Sequence, residues 1–564
     1  MAKVTVDGKA VVVPDSANAL EACRAAGVDV PHFCYHPRLP IVGQCRMCMV
    51  EIEGLPKVQA SCTVPVREGM VIRATSEKAL AARNATMEFL LINHPLDCPI
   101  CDQAGECQLQ DNAMAGGLPV SRTTEPRRQF PGYDRTEIGP HVIADMTRCI
   151  QCTRCIRFCQ EISGTGELTF IERGGHTIVW THEGKALDNE WSACAADVCP
   201  VGALTTKEFR FRKRVWWLEK ASSICPGCEI GCNISVEHRD QVVYRFLPRV
   251  NLEVNDFWIC DHGRFLAESL NGRDFLRPLV REASQEKAAN WGDALALVQT
   301  KVQAAKTEEL LVLGSAHLST EENWLLAELF GKTVGTPNVE FTVDEGPLRR
   351  IKNRNAIGAE GGFLKGTEAA PNSRGAEAAG VKRAGDGSAL ERFLSGAFVP
   401  EVLYIADAEF TGRCADPAFA ARLRKAKFLV VHARTKNALT DVADLVLPVA
   451  SLAEKEGTFV NIQGRAQRFH AALVPPPIVR TDQEVLLHLG KRFGVFETRW
   501  TAQDIFEKLA ASVLLYQGLE WEAEAVVGNP PSVSPAAAYD VLLPVRNPMD
   551  VTDKLPAVAG GGRP

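Results

Sequence analysis

Eighteen of the nineteen cysteines in this 564-residue chain lie within its first 260 residues, and only Cys414 lies beyond them. They stand in C-x2-C pairs and triplets, the spacing at which side chains converge on a metal or cluster. Disulfide frameworks of such density belong to small secreted domains. The opening MAKVTVDGKAVVVPD alternates like a strand and lacks the charged-then-apolar order of a signal peptide. The expectation is metal or cofactor ligation in a reducing compartment.

The chain is too long for one core, so several domains are expected. No apolar run approaches the roughly 18 residues of a membrane span. A net charge of −6 argues against a nucleic-acid binder that works by neutralising phosphates. KVTVDGKAVVV (3–13) reads as a hairpin turning at Asp7-Gly8. SANALEACRAAGV (16–28) reads as an amphipathic helix closed by Gly27. With a cysteine-rich loop they predict a β-grasp-like unit to about residue 78, and KALAARNATMEFLLINH (78–94) predicts a helix. Beyond 280, EELLVLGS (308–315), EVLYIA (401–406), KFLVVHA (427–433) and ADLVLPV (443–449) are short apolar strands. Helical stretches lie between them, one with a Ser319/Glu322 capping box, so a doubly wound parallel sheet is expected. The Gly/Ala-rich stretch 352–388 reads as a flexible excursion, and the Pro-rich tail from about 525 as extended.

The cysteines form four groups. Cys34, Cys45, Cys48 and Cys62 are spaced C-x10-C-x2-C-x13-C, which suits a [2Fe–2S] cluster or a structural zinc. Cys23, on the preceding helix, reads as a buried small apolar residue. In HPLDCPICDQAGEC, Cys98, Cys101 and Cys107 lack a fourth thiolate, and His94 stands just upstream. A histidine near cysteines is more often a bystander than a ligand, yet three thiolates alone would leave one iron of a cubane open to solvent. Cys149, Cys152 and Cys155, with the distant Cys199-Pro200, form a [4Fe–4S] pattern. Cys159 and Cys194 are left over as non-ligands, because a second cluster would need a second triplet before Cys199. Cys225, Cys228, Cys232 and Cys260 form the fourth group. KEFRFRKRVWW (207–217) reads as a solvated or interface linker.

Several of these stretches carry a resemblance. GQCRMCMVEIEG resembles the cluster loop of iron–sulfur subunits in NADH-linked respiratory and hydrogenase complexes. NHPLDCPICDQAGECQLQD resembles their [4Fe–4S] motif of one histidine and three cysteines, which implies His94 as a ligand. CPGCEIGC with Cys260 resembles the N-terminal [4Fe–4S] site of molybdopterin oxidoreductases. In that family a Lys usually follows the last cysteine at the pterin junction; here it is His262, so no molybdopterin is expected. ADLVLPVASLAEKEGTFVNIQGRAQ (443–467) resembles that family's C-terminal segment. In this order, the sites resemble the large iron–sulfur subunit of NADH:quinone oxidoreductase, respiratory complex I.

The resemblance implies an α+β then α/β chain. Residues 1–78 would be a [2Fe–2S] β-grasp domain, 79–120 the helical His-ligated [4Fe–4S] domain, and 121–218 a [4Fe–4S] ferredoxin-like domain. Residues 219–275 would be a molybdopterin-type [4Fe–4S] domain, 276–525 a shortened, degenerate molybdopterin oxidoreductase-like α/β domain, and 526–564 the tail. One [2Fe–2S] and three [4Fe–4S] clusters follow, with no catalytic residues and no cofactor-binding residues besides their ligands. Implied partners are an FMN- and NADH-binding flavoprotein subunit, its small [2Fe–2S] companion, and quinone-side subunits of the peripheral arm. The implied place is peripheral, on the cytoplasmic face of the bacterial inner membrane. No Gly-rich dinucleotide fingerprint follows a strand, so NADH would bind elsewhere. Rival readings are the electron-transfer subunit of a soluble NAD-linked formate dehydrogenase or hydrogenase, an active molybdenum enzyme, and a zinc-stabilised scaffold.

Overall fold

The computed structural model describes residues 1–521 except 183, 283–284, 354–355, 357 and 408–411. The expected tail therefore lies outside the described residues. The described chain falls into two compact units that part between Leu218 and Glu219.

The first unit opens with the expected hairpin, β1 (Ala2–Val6) and β2 (Lys9–Val13). Asp7 and Gly8 both take positive φ, as a two-residue turn with the sheet's own twist requires. Helix α1 (Ala19–Ala25) is shorter than expected because Asn18 caps it, in a reciprocal box with Glu21. Three further strands, not foreseen, complete the sheet: β3 (Met49–Ile52), β4 (Gln59–Ala60) and β5 (Val71–Arg73), in the order β2-β1-β5-β3-β4. Their short runs carry no alternation long enough to read. Val4, Val6, Leu20, Val50 and Ile72 form the core, and Cys23 is buried among them as expected.

Helix α2 (Glu77–Asn93) ends with His94 as its cap, and α3 (Gln108–Gly116) begins directly after Cys107. A small body of short strands and helices follows. It contains β6 (Thr136–Glu137), β7 (Val142–Ala144), α4 (Arg154–Phe158), β8 (Leu168–Ile171), β9 (Ile178–Thr181), α5 (Cys194–Asp197) and β10 (Leu204–Thr206).

The second unit starts with an antiparallel sheet of β11 (Glu219–Ile224), β12 (Asn233–Arg239) and β13 (Val242–Pro248), followed by α6 (Asp261–Phe265). Next come β14 (Leu279–Glu282), β15 (Gln285–Ala288), α7 (Trp291–Ala304), β16 (Leu310–Leu313), α8 (Thr320–Leu326), β17 (Val339–Phe341), β18 (Glu345–Lys352) and β19 (Phe363–Glu368). Then follow α9 (Ser373–Ala378), β20 (Lys382–Arg383), α10 (Ala389–Leu394), β21 (Val402–Ile405), α11 (Pro417–Leu423), β22 (Phe428–Ala433) and β23 (Leu445–Pro448). The described chain closes with β24 (Gly457–Val460), β25 (Ala466–Phe469), α12 (Asp482–Arg492) and α13 (Ala502–Ser512).

Strands β23, β22, β21, β16, β17 and β20 are parallel neighbours, and the antiparallel pair β14–β15 extends the β23 edge to eight strands. Along β16, Leu310 and Val312 pack into one core, while Leu311 and Leu313 pack into another on the opposite face. Burial on both faces explains why these strands read as unbroken apolar runs. The stretch 352–388 is a correction: it holds β19, α9 and β20. Gly375 in α9 serves close packing, since a Cβ there would meet Asn372 Oδ1 at 2.0 Å and Thr320 Oγ1 at 2.4 Å.

A buried polar chain pins α8 and α12 to the sheet. Glu322 closes the expected capping box with Ser319 and also receives Lys455 Nζ at 2.9 Å. Lys455 reaches Asp482 at 3.0 Å, Asp482 meets His432 at 2.9 Å, and His432 meets the Tyr404 hydroxyl at 2.6 Å. Removing the cation would leave two buried carboxylates uncompensated. Lys455→Met is therefore expected to cost about 3–5 kcal/mol in denaturant unfolding of the full chain; a loss below about 1 kcal/mol would contradict this. The neighbouring Glu321 accepts from Thr458 N and Oγ1 at 2.8 and 2.7 Å. Burial raises its carboxyl from an ordinary 4.5 to about 7. The folded state then holds that proton more tightly than the unfolded chain, so stability falls as pH rises from 4.5 to about 7. Glu321→Gln should flatten that part of the stability–pH curve.

Candidate metal centres

In the first set, Cys45 and Cys48 lie on a curled loop that leads into β3, with Arg46 at φ 57° and Gly43 at φ 62°. A Cβ on Gly43 would stand 2.6 Å from Thr63 Cγ2, so this loop closes against the Cys62 turn only with glycine there. Ser61 Oγ donates to Cys48 O at 2.8 Å and fastens that turn. Cys34 meets Cys45 and Cys62, and Cys62 also meets Cys48. Hydrogen bonds from Cys45 and Cys62 draw Cys34 down, a bond from Cys62 draws Cys48 down, and the same bonds push Cys45 and Cys62 up.

In the second set, the end of α2 delivers His94, whose Nδ1 is buried without a hydrogen-bond partner. Burial first, and then Arg148, lowers its imidazole to about 4, so the ring is neutral. A neutral ring with a buried, unused nitrogen fits a metal ligand. His94, Cys98 and Cys107 line one cleft of about 790 Å³. Arg148, itself 2% exposed, holds the loop by donating to Asp97 at 3.0 Å. Arg214 donates to Cys101 O at 2.5 Å and also to Pro99 O. The stretch 207–217, expected as a solvated or interface linker, braces the cysteine loop with its end, and Trp216 is set against Gly105.

In the third set, Cys152 lies between Gln151 and Thr153, both in the left-handed region, and Cys155 lies in the first turn of α4. Cys149, Cys152, Cys155 and Cys199 line one small cavity whose remaining walls include Ile150, Val179, Val201 and Leu204. Burial raises all four thiols, and Cys152 also raises Cys149, Cys155 and Cys199. Cys159 is fully buried outside that lining. Burial and Glu167 hold its thiol at about 12.

The fourth set lies in the second unit. Cys225 and Cys232 are joined by a 2.8 Å backbone bond, and Cys260 caps α6, receiving Gly263 N at 3.4 Å. A Cβ on Gly263 would lie 2.6 Å from Cys225 Sγ. Burial first, then the neighbouring thiols, raises Cys225, Cys228 and Cys232. His262 lies beside Gly227 in the same fold.

The first three sets are stitched together. Pro200, next to Cys199, accepts Gln108 N at 3.2 Å and lies 3.8 Å from Cys107 Sγ. Gly202 stands so close to the second set that a Cβ there would meet Cys101 Sγ at 2.2 Å. Arg157 donates to Cys34 O at 2.5 Å and to Cys152 O at 3.3 Å. The parts played by Arg148, Arg154, Arg157, Gly202 and Arg214 were not foreseen from the sequence. The available signal was weak: Arg154 stands inside the Cys149–Cys155 triplet, and Arg148 and Arg157 flank it. Among the described residues, no group of three or more His, Cys, Asp or Glu side chains stands as a site for a single metal ion, whereas a cluster spreads its ligands over several irons.

Comparison with known proteins follows the same order along the chain. Residues 1–77 match a 2Fe-2S iron-sulfur cluster binding domain, and 83–122 the NADH-ubiquinone oxidoreductase-G iron-sulfur binding region. Residues 139–205 match the ferredoxin-like domain of NADH-quinone oxidoreductase subunit 3, and 218–268 a NADH-ubiquinone oxidoreductase NDSU1/NuoG-like 4Fe-4S domain. Residues 355–492 match molybdopterin oxidoreductase. The NADH-ubiquinone oxidoreductase 78 kDa subunit of Neurospora crassa is 33% identical over 87% of this chain and 81% of its own length. The NADH-quinone oxidoreductase G subunit of Rickettsia conorii is 41% identical over 63% of this chain and 53% of that protein. The mitochondrial NADH dehydrogenase [ubiquinone] iron-sulfur protein 1 of Solanum tuberosum is 43% identical over 60% of this chain and 45% of that protein. The chain thus spans about half the length of these last two relatives. A chain of the NAD+-reducing [NiFe]-hydrogenase in the H2-reduced state aligns at 31% identity over 38% of this chain and 91% of that one, with TM-score 0.34.

A ferredoxin-type 2Fe-2S domain, 4Fe-4S domains and a molybdopterin oxidoreductase domain, in that order, define an iron–sulfur protein built in modules. The chain belongs to the family that comprises the bacterial NADH-quinone oxidoreductase G subunits and the mitochondrial 75–78 kDa subunits.

Gly202→Ala should push Cys101 out of place. The expected result in anaerobically prepared protein is a loss of about four irons per chain; full iron content would show that Gly202 does not shape the second site.

Proposed function

We propose that this chain is the electron-transfer subunit of a proton-translocating NADH:quinone oxidoreductase. The observation that carries the reading is the joining of the first three donor sets through Arg157, Pro200 and Gly202, because a chain of redox centres needs short gaps held rigid. The proposed ligands are Cys34, Cys45, Cys48 and Cys62 for a [2Fe–2S] cluster. Three [4Fe–4S] clusters would be held by His94, Cys98, Cys101 and Cys107, by Cys149, Cys152, Cys155 and Cys199, and by Cys225, Cys228, Cys232 and Cys260. When bound, the clusters supply one-electron transfer from an FMN-bearing partner towards quinone.

The chain's own residues set geometry, exclude water and place charge. Ile150, Val179, Val201 and Leu204 keep the third site apolar, and the unpartnered Nδ1 of neutral His94 supplies the second site's fourth donor. Among the described residues, no helix is long and apolar enough to cross a membrane. A peripheral position on the cytoplasmic face, beside the flavoprotein, its small [2Fe–2S] companion and the quinone-side subunits, accords with this.

The test is anaerobic mixing of the full, cluster-loaded chain with NADH. NADH alone should leave the visible absorbance unchanged, and NADH with the flavoprotein subunit of a related complex should bleach it. Bleaching by NADH alone, or none with the partner, would overturn the reading. His94→Cys should keep a cluster and lower its reduction potential, because a thiolate adds a negative charge that imidazole lacks. An unchanged EPR spectrum and potential would remove His94 from the ligand set.

A further inference from the structure

Two buried cations stand in the seam between the first and third donor sets, and neither meets a carboxylate. Arg154 and Arg157 are each 5% exposed and lie three residues apart on α4. One nitrogen of Arg157 donates both to Cys34 O at 2.5 Å and to Cys152 O at 3.3 Å. Its other nitrogens donate to Pro40 O at 2.6 Å and Thr153 Oγ1 at 3.1 Å. Arg154 donates to Tyr35 O at 2.7 Å, Gln108 Oε1 at 3.3 Å and Val198 O at 3.5 Å. Those acceptors are the chain neighbours of Cys34, Cys107 and Cys199. Arg154 Nε is buried and has no partner.

A buried guanidinium carries a large desolvation cost unless charge opposes it nearby. All the acceptors here are neutral. Beside Arg154 stand the thiols of Cys152, Cys199, Cys45 and Cys34, and beside Arg157 those of Cys152, Cys34, Cys155 and Cys45; as cluster ligands these thiols would carry the opposing negative charge. Each arginine therefore faces both donor sets at once.

We propose that Arg154 and Arg157 are positioning residues shared by the first and third sites, fixing the distance between them and raising the reduction potential of both. This rests on the electron-transfer reading above. Each one-electron reduction adds one negative charge to a site already bounded by thiolates. The electron comes from the upstream donor and leaves to the next site, and the fixed guanidinium charges offset it without a proton having to move. A single pair of cations acting on two neighbouring sites shifts them together, so the step between them stays nearly level.

The test is a potentiometric EPR titration of the full chain, purified anaerobically with its clusters, as wild type, Arg157→Met, Arg154→Met and Arg157→Lys. With iron content at the wild-type level, Arg157→Met and Arg154→Met should each shift both the [2Fe–2S] signal and the third site's signal to more negative potential. The expected size is at least about tenfold in each reduction equilibrium, or about 59 mV for one electron. The fourth site should stay put, and Arg157→Lys should restore most of the shift because it keeps the charge. Unchanged potentials in iron-replete Met variants, a shift at one site only, or a Lys variant as shifted as Met would each overturn the proposal. If the Met variants fail to load, Arg157→Lys decides: wild-type potentials support the proposal and a full shift overturns it. A wild-type chain without EPR-active clusters would sink the electron-transfer reading itself, a result distinct from any of these.

Discussion

Thiolates gathered in a protein interior repel one another and lose their water, and the first unit is built around that cost. Burial pushes the thiols of the third set upward, and Cys152 raises the other three further. Left alone, they would stay protonated and inert. On the proposed ligand sets, iron would supply most of the opposing charge, and the buried guanidiniums of Arg154 and Arg157 would add to it. As the proposed fourth donor of the second set, His94 would lighten the load differently, since a neutral donor brings no charge at all.

The same cost ties the donor sets to one another. The stretch 199–202 provides a thiol to the third set, a carbonyl beside Cys107 and a glycine that admits Cys101. Arg148 and Arg214 hold the loop between them by its carboxylate and carbonyls. The donor sets occur on loops and helix ends throughout, where backbone geometry can be bent to suit a cluster, while the sheets beneath stay regular. Metal loading and folding of this unit should therefore be coupled, because no set is complete in an unfolded chain.

Local chemistry made much of this legible in the sequence. The Asp7-Gly8 hairpin, the Ser319/Glu322 capping box and the parallel strands β16, β21, β22 and β23 all have short-range signals, and all are present. Strands β3, β4 and β5 are too short for a period to show. The pair β14–β15 gains its place by joining a distant edge at Leu445 and Val446. In 352–388, Gly375 and Ala376 looked like low complexity because the sequence does not show that Thr320 and Asn372 press against that glycine. The cysteine groups were visible as spacing. The arginines that join them were not, because bonds such as Arg157 to Cys34 cross 123 residues of chain.

The most direct test of the central claim is elemental analysis of the full chain purified without oxygen. One [2Fe–2S] and three [4Fe–4S] clusters require about 14 irons per chain, with neither zinc nor molybdenum in stoichiometric amount. That result would support the four-cluster account. Zinc in place of iron would contradict it at the root, and about one molybdenum per chain would turn the second unit into a catalytic centre and end the reading of this chain as an electron carrier alone.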